Sequence, residues 1–329
     1  VPKEYGGQGK GYQELAIVIE EISKVDVSVA VAISVNISLY GGTLLYADAT
    51  PEQLEEYLHP VVKGDKIGCF ALTEPSAGSD VSAAQTMAVE DGDDYVINGS
   101  KCFITNGSVA DYYAVYAYTD KELGPSKSMA CFIVPRETKG LVIGQRHNTS
   151  GIRSAQICEL FFQDMRVPKK NMIASAGKGF KLAMKTLGGG RIGVAAQALG
   201  IAEGAFDAAK KHMTERVQFG RPISKFQYPA FKMAELDVEI DNAWYLTYRA
   251  AWEKDHNIPG YNIRASKAKF YSSDVAMHTT TEAVQFMGGA GYMKENEVER
   301  MMRDAKITQI YEGTNEIQKL IISGSLFPR

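Results

Sequence analysis

Residues 309–318, QIYEGTNEIQ, place one acid, Glu312, between a tyrosine and a glycine where an apolar stretch gives way to a new helix. Thr314 or Asn315 can cap that helix, so the free N–H groups of its first turn form an anion site directly after the acid. Gly313 lets a second molecule come close. The plain structural explanation is an acid beside a positive helix end, worth under ~1 kcal/mol. Three other stretches carry comparable signals. In CFALTEPSAGSD, residues 69–80, an apolar strand stops in a loop whose backbone donors and the hydroxyls of Thr73, Ser76 and Ser79 can cradle a ring or phosphates. In CFITNG, residues 102–107, Phe103 offers a stacking face and Thr105 a hydrogen bond. In ERVQFGRPI, residues 215–223, Arg216 and Arg221 flank an aromatic and a glycine, a pattern suited to a diphosphate. Alone, each also reads as a turn, a core strand or a solvated arginine pair. The string GGGRIG, residues 188–193, satisfies Gly-x-Gly-x-x-Gly, yet the preceding GKGFKLAMKTL has helical spacing and no βαβ unit follows. A dinucleotide fingerprint is rejected there. The glycines either allow close helix packing around Arg191 or make room for a ligand.

The elements that must hold these residues follow from periodicity. From Tyr12 to about Val62 the spacing is helical, with Leu15, Ile17, Ile19 and Ile22 lining one side of the first element and TPEQLEEYLHPVV giving a Thr-capped, Pro-started helix. Between about Ile67 and Pro168, short β-rich runs such as DYVINGSKCFIT, DYYAVYAYT, MACFIVP and AQICELFFQ alternate with Gly, Asp, Pro and Asn clusters. The Asn98-Gly99 pair reads as a hairpin turn. After Lys178 the helical period returns, with Phe231, Ala234, Val238, Tyr245 and Trp252 on one stripe and Phe270, Met277 and Val284 on the next. Four long helices suggest an up-and-down bundle. The expected class is α+β: an α-helical domain over 1–66, a middle antiparallel β-domain over 67–174 and a four-helix bundle over 175–329.

At 329 residues the chain has ample material for several packed domains and a buried cofactor. A net charge of -3 leaves no basic excess to hold nucleic acid or an acidic membrane. Cys69, Cys102, Cys131 and Cys158 are widely spaced, without a Cys-x-x-Cys or paired-His motif, so neither a metal site nor a disulfide framework is expected. A reducing compartment fits best. No apolar run is expected to approach the ~20 residues of a membrane span, and the start at Val1 without a methionine suggests a fragment with residues missing upstream.

The motifs CFALTEPSAGSD, FITNG, RVQFG, QFMGGAGY and IYEGTNEIQ occur together in an order and spacing that resemble the acyl-CoA dehydrogenase family of flavoproteins, most closely its short-chain, butyryl-CoA type. The resemblance covers the whole chain and implies that family's fold, an N-terminal α-domain, middle β-domain and C-terminal four-helix bundle. It also implies a bound FAD. Residue by residue, it places the flavin against Phe70, Ala71, Leu72 and Thr73 and against Phe103, Ile104 and Thr105, with Gly78 beside Ser79 at the acyl-CoA or flavin edge. Arg216, Gln218 and Phe219 would hold FAD across a subunit contact, joined by Gln285, Phe286, Gly288 and Gly289, with Thr314 and Glu316 near its other parts. Gly188, Gly189, Gly190 and Arg191 fall beside the acyl-CoA, as do Tyr311 and Gly313.

The implied reaction removes an α-proton and a β-hydride from a saturated acyl-CoA, with Glu312 as base. Relatives that carry the base before the arginine matching Arg191 are not imitated, because that position is Gly190. The stretch VSVAVAISVNISLY, residues 27–40, contains no cation to meet a second carboxylate, so a short, uncharged acyl chain is expected. Alternatives within this resemblance are an enoyl-CoA reductase running in reverse with an electron-transfer flavoprotein, an acyl-CoA oxidase, and a non-catalytic scaffold. The resemblance further implies a homotetramer, electron-transfer flavoprotein as partner, and the bacterial cytoplasm or mitochondrial matrix as location.

Overall fold

A computed structural model describes residues 1–327. The chain divides into two compact units: residues 1–10, 32–148 and 154–190 form the first, and residues 11–31, 149–153 and 191–329 the second. Helices α1 (Tyr12–Ser23) and α2 (Val27–Ser34) open the chain, and α2 continues through a π-helical stretch, Val35–Gly41, into α3 (Gly42–Tyr46). Thr50 then starts α4 (Pro51–Tyr57) with a reciprocal cap: its Oγ1 accepts from Gln53 N at 3.2 Å while its N–H donates to Gln53 Oε1 at 2.8 Å. Helix α5 (His59–Lys63) follows and ends on Gly64 in the left-handed region.

The first unit is built on an eight-stranded sheet. Its strands are β1 (Gly68–Ala71), β2 (Met87–Asp91), β3 (Asp94–Ile104), β4 (Tyr112–Tyr118), β5 (Met129–Pro135), β6 (Leu141–Arg146), β7 (Cys158–Pro168) and β8 (Met172–Ala174). They run in the order β6-β7-β3-β2-β4-β5-β8, with β1 on β4 and the short α6 (Pro125–Ser128) between β4 and β5. Pairing is mostly antiparallel, as expected, but β1 joins β4 in parallel, Gly68 opposite Tyr112 and Ala71 opposite Val115. Strand β4 is buried on both faces: Tyr113, Val115 and Ala117 enter one core, Ala114, Tyr116 and Tyr118 the other. That double burial explains its unbroken apolar run.

The expected hairpin at Asn98-Gly99 is not there. Both residues lie inside β3, and the turn falls one strand end earlier, at Asp91–Asp94 with Gly92 at φ 62°. Asn98-Gly99 instead makes a bulge against β7, where the register shifts between Ile97 and Gly99. Asn98 donates from Nδ2 to Asp164 Oδ1 at 3.1 Å and accepts Asp164 N–H at 2.8 Å, and a Cβ on Gly99 would come within 2.5 Å of Thr86 Oγ1. Side-chain pairing and a close backbone neighbour, not chain reversal, account for the two residues.

Helix α7 (Gly179–Glu215) carries the division between the units within its length. The second unit adds a two-stranded ribbon, β9 (Val217–Gln218) with β10 (Arg221–Pro222), then α8 (Gln227–Asp255), α9 (Tyr261–Met287), α10 (Glu297–Thr308) and α11 (Asn315–Leu326). The bundle thus has three long helices and a fourth broken into α10 and α11, both packed on α9. The break is the loop that carries Glu312.

Two stripes differ from expectation. On α8 the buried face is Leu236, Ile240, Ala243, Thr247 and Ala250, whereas Phe231, Val238 and Tyr245 are 60%, 61% and 65% exposed. On α1, Ile19 is buried while Ile17 is exposed. The expectation that no apolar run reaches membrane length is also corrected: Val27–Tyr46 forms 20 residues of mean hydropathy 1.6. Its most apolar window is 72% buried in the protein, which makes it a core helix of this fold.

Candidate active site

In the first unit the two expected flavin segments meet through the backbone. Cys102 N–H donates to Thr73 O at 2.9 Å, which holds the end of β1 against the end of β3. Beneath them lies a buried ion pair: Lys101 Nζ donates to Glu74 Oε1 at 2.7 Å and to Leu72 O at 3.1 Å, with both side chains at most 3% exposed. Glu74 also accepts the N–H groups of Gln85 at 2.5 Å and Thr86 at 3.2 Å. Burial alone would raise its pKa, but the Lys101 charge and these hydrogen bonds outweigh that and hold the carboxyl below its ordinary value. Neither residue stood out in the sequence, because a lysine in a β-run reads as an outward-facing charge.

On this base sits Phe103, 66% exposed and at φ 56°, a conformation that costs a bulky side chain energy. Its ring centroid lies 5.2 Å from that of His147. Phe70 is half-buried with its ring 5.1 Å from Tyr116. Ala71, Leu72 and Ile104 are buried, Thr73 and Thr105 half-buried, and Gly78 and Ser79 exposed with open space around Gly78. An exposed aromatic held in a strained geometry beside an exposed loop at Gly78 and Ser79 offers a face on which a flat ring can stack. In the same unit Gly188, Gly189 and Gly190 are buried within α7, which removes any strand-to-helix turn for a dinucleotide.

In the second unit the loop between α10 and α11 is shaped by two successive left-handed residues, Glu312 at φ 52° and Gly313 at φ 94°. Gln318 fixes the bend: its Nε2 donates to Gly313 O at 2.8 Å and more weakly to Glu312 O at 3.4 Å. A Cβ on residue 313 would fall 2.8 Å from that nitrogen, so glycine is required by both conformation and space. Of the two candidate caps, Thr314 is the one used, its Oγ1 accepting Ile317 N–H at 3.4 Å. Tyr311 donates its hydroxyl to Gln197 Oε1 on α7.

Glu312 is half-buried, and its Oε2 is enclosed without a hydrogen-bond partner. Burial raises its pKa to about 7, against the opposing charges of Arg191 and Lys269. Arg191, 8% exposed, likewise has an enclosed Nε without a partner; burial pulls its pKa down and the charge of Glu312 pushes it back. A half-buried carboxylate with one enclosed, unpartnered oxygen, poised near neutrality under the influence of two cations, is suited to taking a proton from a carbon acid.

A second, solvent-open group in this unit consists of Arg216, Gln218 and Phe219 at and beside the ribbon, Gln285 in the last turn of α9, and Gly288 and Gly289 just after it, all exposed; Phe286, also in the last turn of α9, is buried. Phe219 is 94% exposed at φ 50°, and nothing lies within 4 Å of a Cβ at Gly288 or Gly289. Glu316 is exposed in the first turn of α11. One large exposed aromatic and two open glycines leave this surface free to receive a partner or cofactor.

Three family models match almost the entire chain: the acyl-CoA dehydrogenase N-terminal domain over residues 1–65, the middle domain over 69–165 and the C-terminal domain over 177–327. The chain belongs to the acyl-CoA dehydrogenase family. It is an FAD-dependent oxidoreductase of fatty acid β-oxidation chemistry. The short-chain specific acyl-CoA dehydrogenase of Clostridium acetobutylicum is 53% identical over 325 residues, 99% of this chain and 85% of that one. Among solved structures, butyryl-CoA dehydrogenase from Megasphaera elsdenii superposes with a TM-score of 0.96 at 48% identity, covering 98% of this chain and 85% of that one. A chain from a structure of the electron transferring flavoprotein of Acidaminococcus fermentans gives a TM-score of 0.97 at 48% identity, covering 100% and 86%.

Proposed function

We propose that this acyl-CoA dehydrogenase acts on a short, uncharged acyl-CoA and that Glu312 is the base that takes the α-proton. The observation that carries this reading is the enclosed, unpartnered Oε2 of Glu312 with its pKa raised to about 7. An α-hydrogen beside a thioester is a very weak acid, so the base must be neither fully hydrated nor permanently protonated. Burial achieves the first and the neighbouring cations the second. The left-handed bend at Glu312 and Gly313 would turn the carboxylate toward the acyl-CoA, and Gly313 would leave room for the thioester. A bound FAD would supply the acceptor for the hydride that leaves the β-carbon. Phe70, Ala71, Leu72, Thr73, Phe103, Ile104 and Thr105 would face its ring, and the exposed group around Arg216, Phe219 and Gly288 would reach the rest from a neighbouring subunit. Arg191 and Tyr311 would line the acyl-CoA side.

The apolar stretch Val27–Tyr46 contains no charged residue, which supports an uncharged acyl chain. A higher kcat/KM for glutaryl-CoA than for butyryl-CoA would overturn that part. The exposed stripe Phe231, Val238 and Tyr245, with Phe219, supports burial of α8 between copies in a homotetramer. Sedimentation of a monomer carrying full activity would contradict it. We further assign electron-transfer flavoprotein as the redox partner, and a reducing compartment, bacterial cytoplasm or mitochondrial matrix, for a chain whose cysteines are all free and buried. The first test is anaerobic bleaching of the flavin by butyryl-CoA in the wild type and in Glu312→Gln. Loss of bleaching in Glu312→Gln with FAD retained is the expected result; equal bleaching in both would remove Glu312 from the role.

A further inference from the structure

Helix α9 buries a lysine that the reaction as described does not use. Lys269 is 0% exposed, and its Nζ donates to Asn315 Oδ1 at 2.9 Å. Asn315 is the first residue of α11, three positions after Glu312. Its amide is engaged on both sides: Oδ1 accepts from Lys269, and Nδ2 donates to Ser273 Oγ and Asp274 Oδ1, each at 2.9 Å, while Ser273 passes its own proton to Phe270 O at 2.9 Å. The other end of the loop is tied to the same carboxylate, since Gln309 Nε2 donates to Asp274 Oδ1 at 2.6 Å and Asn315 N–H closes the loop on Gln309 O at 3.0 Å. One face of α9 therefore grips both ends of residues 309–315.

We propose that Lys269 is a positioning residue for the base: through Asn315 it locks the loop that carries Glu312, and its buried charge keeps that carboxylate ionised in a desolvated site. The inference rests on the reading of Glu312 as base. A buried ammonium is costly unless its charge is balanced. The hydrogen-bond acceptor recorded for it is a neutral amide, so the balance comes through space. The charged groups that face it are Glu312 on the loop, Arg191 on α7, Asp274 on α9 itself and Glu316 on α11. Burial brings Lys269 down to about 8, with Glu312 the largest opposing influence. Reciprocally, Lys269 and Arg191 are the two charges that lower the pKa of Glu312. Base and lysine sustain each other's ionisation.

The test uses the FAD-loaded enzyme with Lys269→Met, which removes both donor and charge, and Lys269→Gln, which keeps a donor for Asn315 but no charge. Two readouts are followed against pH: kcat with butyryl-CoA, and exchange of the methyl protons of acetyl-CoA into D2O by NMR. Acetyl-CoA has no β-carbon, so it can lose an α-proton but no hydride, and exchange reports the base alone. In both variants the acidic limb of both profiles should move up by about one pH unit, with exchange at pH 7 slowed roughly fivefold and KM changed less than about twofold. Lys269→Met should lose more than Lys269→Gln, since it also frees the loop. Unmoved limbs in a folded, FAD-bound Lys269→Gln would overturn the proposal, and they decide the matter even if Lys269→Met fails to fold. If Glu312→Gln itself still exchanges acetyl-CoA protons at the wild-type rate, the base assignment falls instead, which separates the two failures.

Discussion

The corner of the first unit proposed to face the flavin and the loop of the second proposed to carry the base are built on one plan with one difference. In each, a non-glycine residue holds the left-handed conformation, Phe103 at φ 56° and Glu312 at φ 52°. Behind each lies a fully buried lysine, Lys101 on β3 and Lys269 on α9. Lys101 meets Glu74 at 2.7 Å, and Glu74 is further satisfied by two backbone N–H groups, so the charges close on themselves. Lys269 meets the amide of Asn315, and the carboxylates that balance it, Glu312 among them, act through space. A closed pair gives a rigid, chemically inert support for a ring. An open one leaves the charge balance sensitive to whether the base carries a proton, which is the variable the reaction changes.

The largest expected effect breaks the chemistry on the open side. Glu312→Gln preserves shape and should lower kcat by roughly 10³-fold or more while FAD content stays at the wild-type level, since a positioned general base contributes about 10²–10⁴. Rapid-mixing measurement of flavin reduction checks it. Next, Lys101→Met should destabilise by about 3–5 kcal/mol because Glu74 is left buried without its cation. Thermal unfolding should show a large drop in Tm and weakened FAD retention, with the pH limb of any remaining activity unmoved. A neutral result would mean that the pair is not the support proposed here. A smaller effect concerns pH alone. With its pKa near 7, Glu312 must be ionised to act, so kcat should fall toward tenfold per pH unit on the acid side and level off above neutrality. A flat profile between pH 6 and about 8 would contradict a raised pKa.

Much of the fold was legible because periodicity reports burial: β4 read as a strand and α7 as a helix from their apolar spacing. The errors occur where a partner, local or absent, decides. Asn98-Gly99 carries a turn signature, but Asp164 recruits Asn98 and Thr86 crowds Gly99 within a continuous strand. Phe231, Val238 and Tyr245 fall on one helical stripe in the sequence and are exposed in the chain, because periodicity groups residues on a face without saying whether that face is the buried one. For the site, Glu312 and the aromatic segments emerged only when several weak motifs were taken together as a family resemblance. Lys101, Glu74 and Lys269 did not emerge, and Asn315 emerged only as a candidate cap, a role that Thr314 takes. A lysine within an apolar pattern reads as a solvated residue, and nothing local reveals that a distant acid or amide will meet it.

The smallest effect compares the two regions most directly, because their acids respond to pH with opposite sign. Glu74 is held below its ordinary pKa, so its contribution to stability is present above the unfolded value and is lost as pH falls through the folded one. Glu312 is raised from 4.5 to about 7, so folding favours its protonated form. That contribution is complete below the unfolded value and is lost as pH rises through the folded one. Removing the charge with Glu312→Gln should therefore leave Tm nearly unchanged near pH 4.5 and raise it relative to wild type by pH 8. The gain expected is about 1–2 kcal/mol after allowing for the part of the side chain that water still reaches. Unfolding curves of the FAD-loaded proteins across that range measure the difference. If it shrinks as pH rises, the carboxylate is stabilised by Lys269 and Arg191 beyond its desolvation, and the open side would be as closed as the one around Glu74.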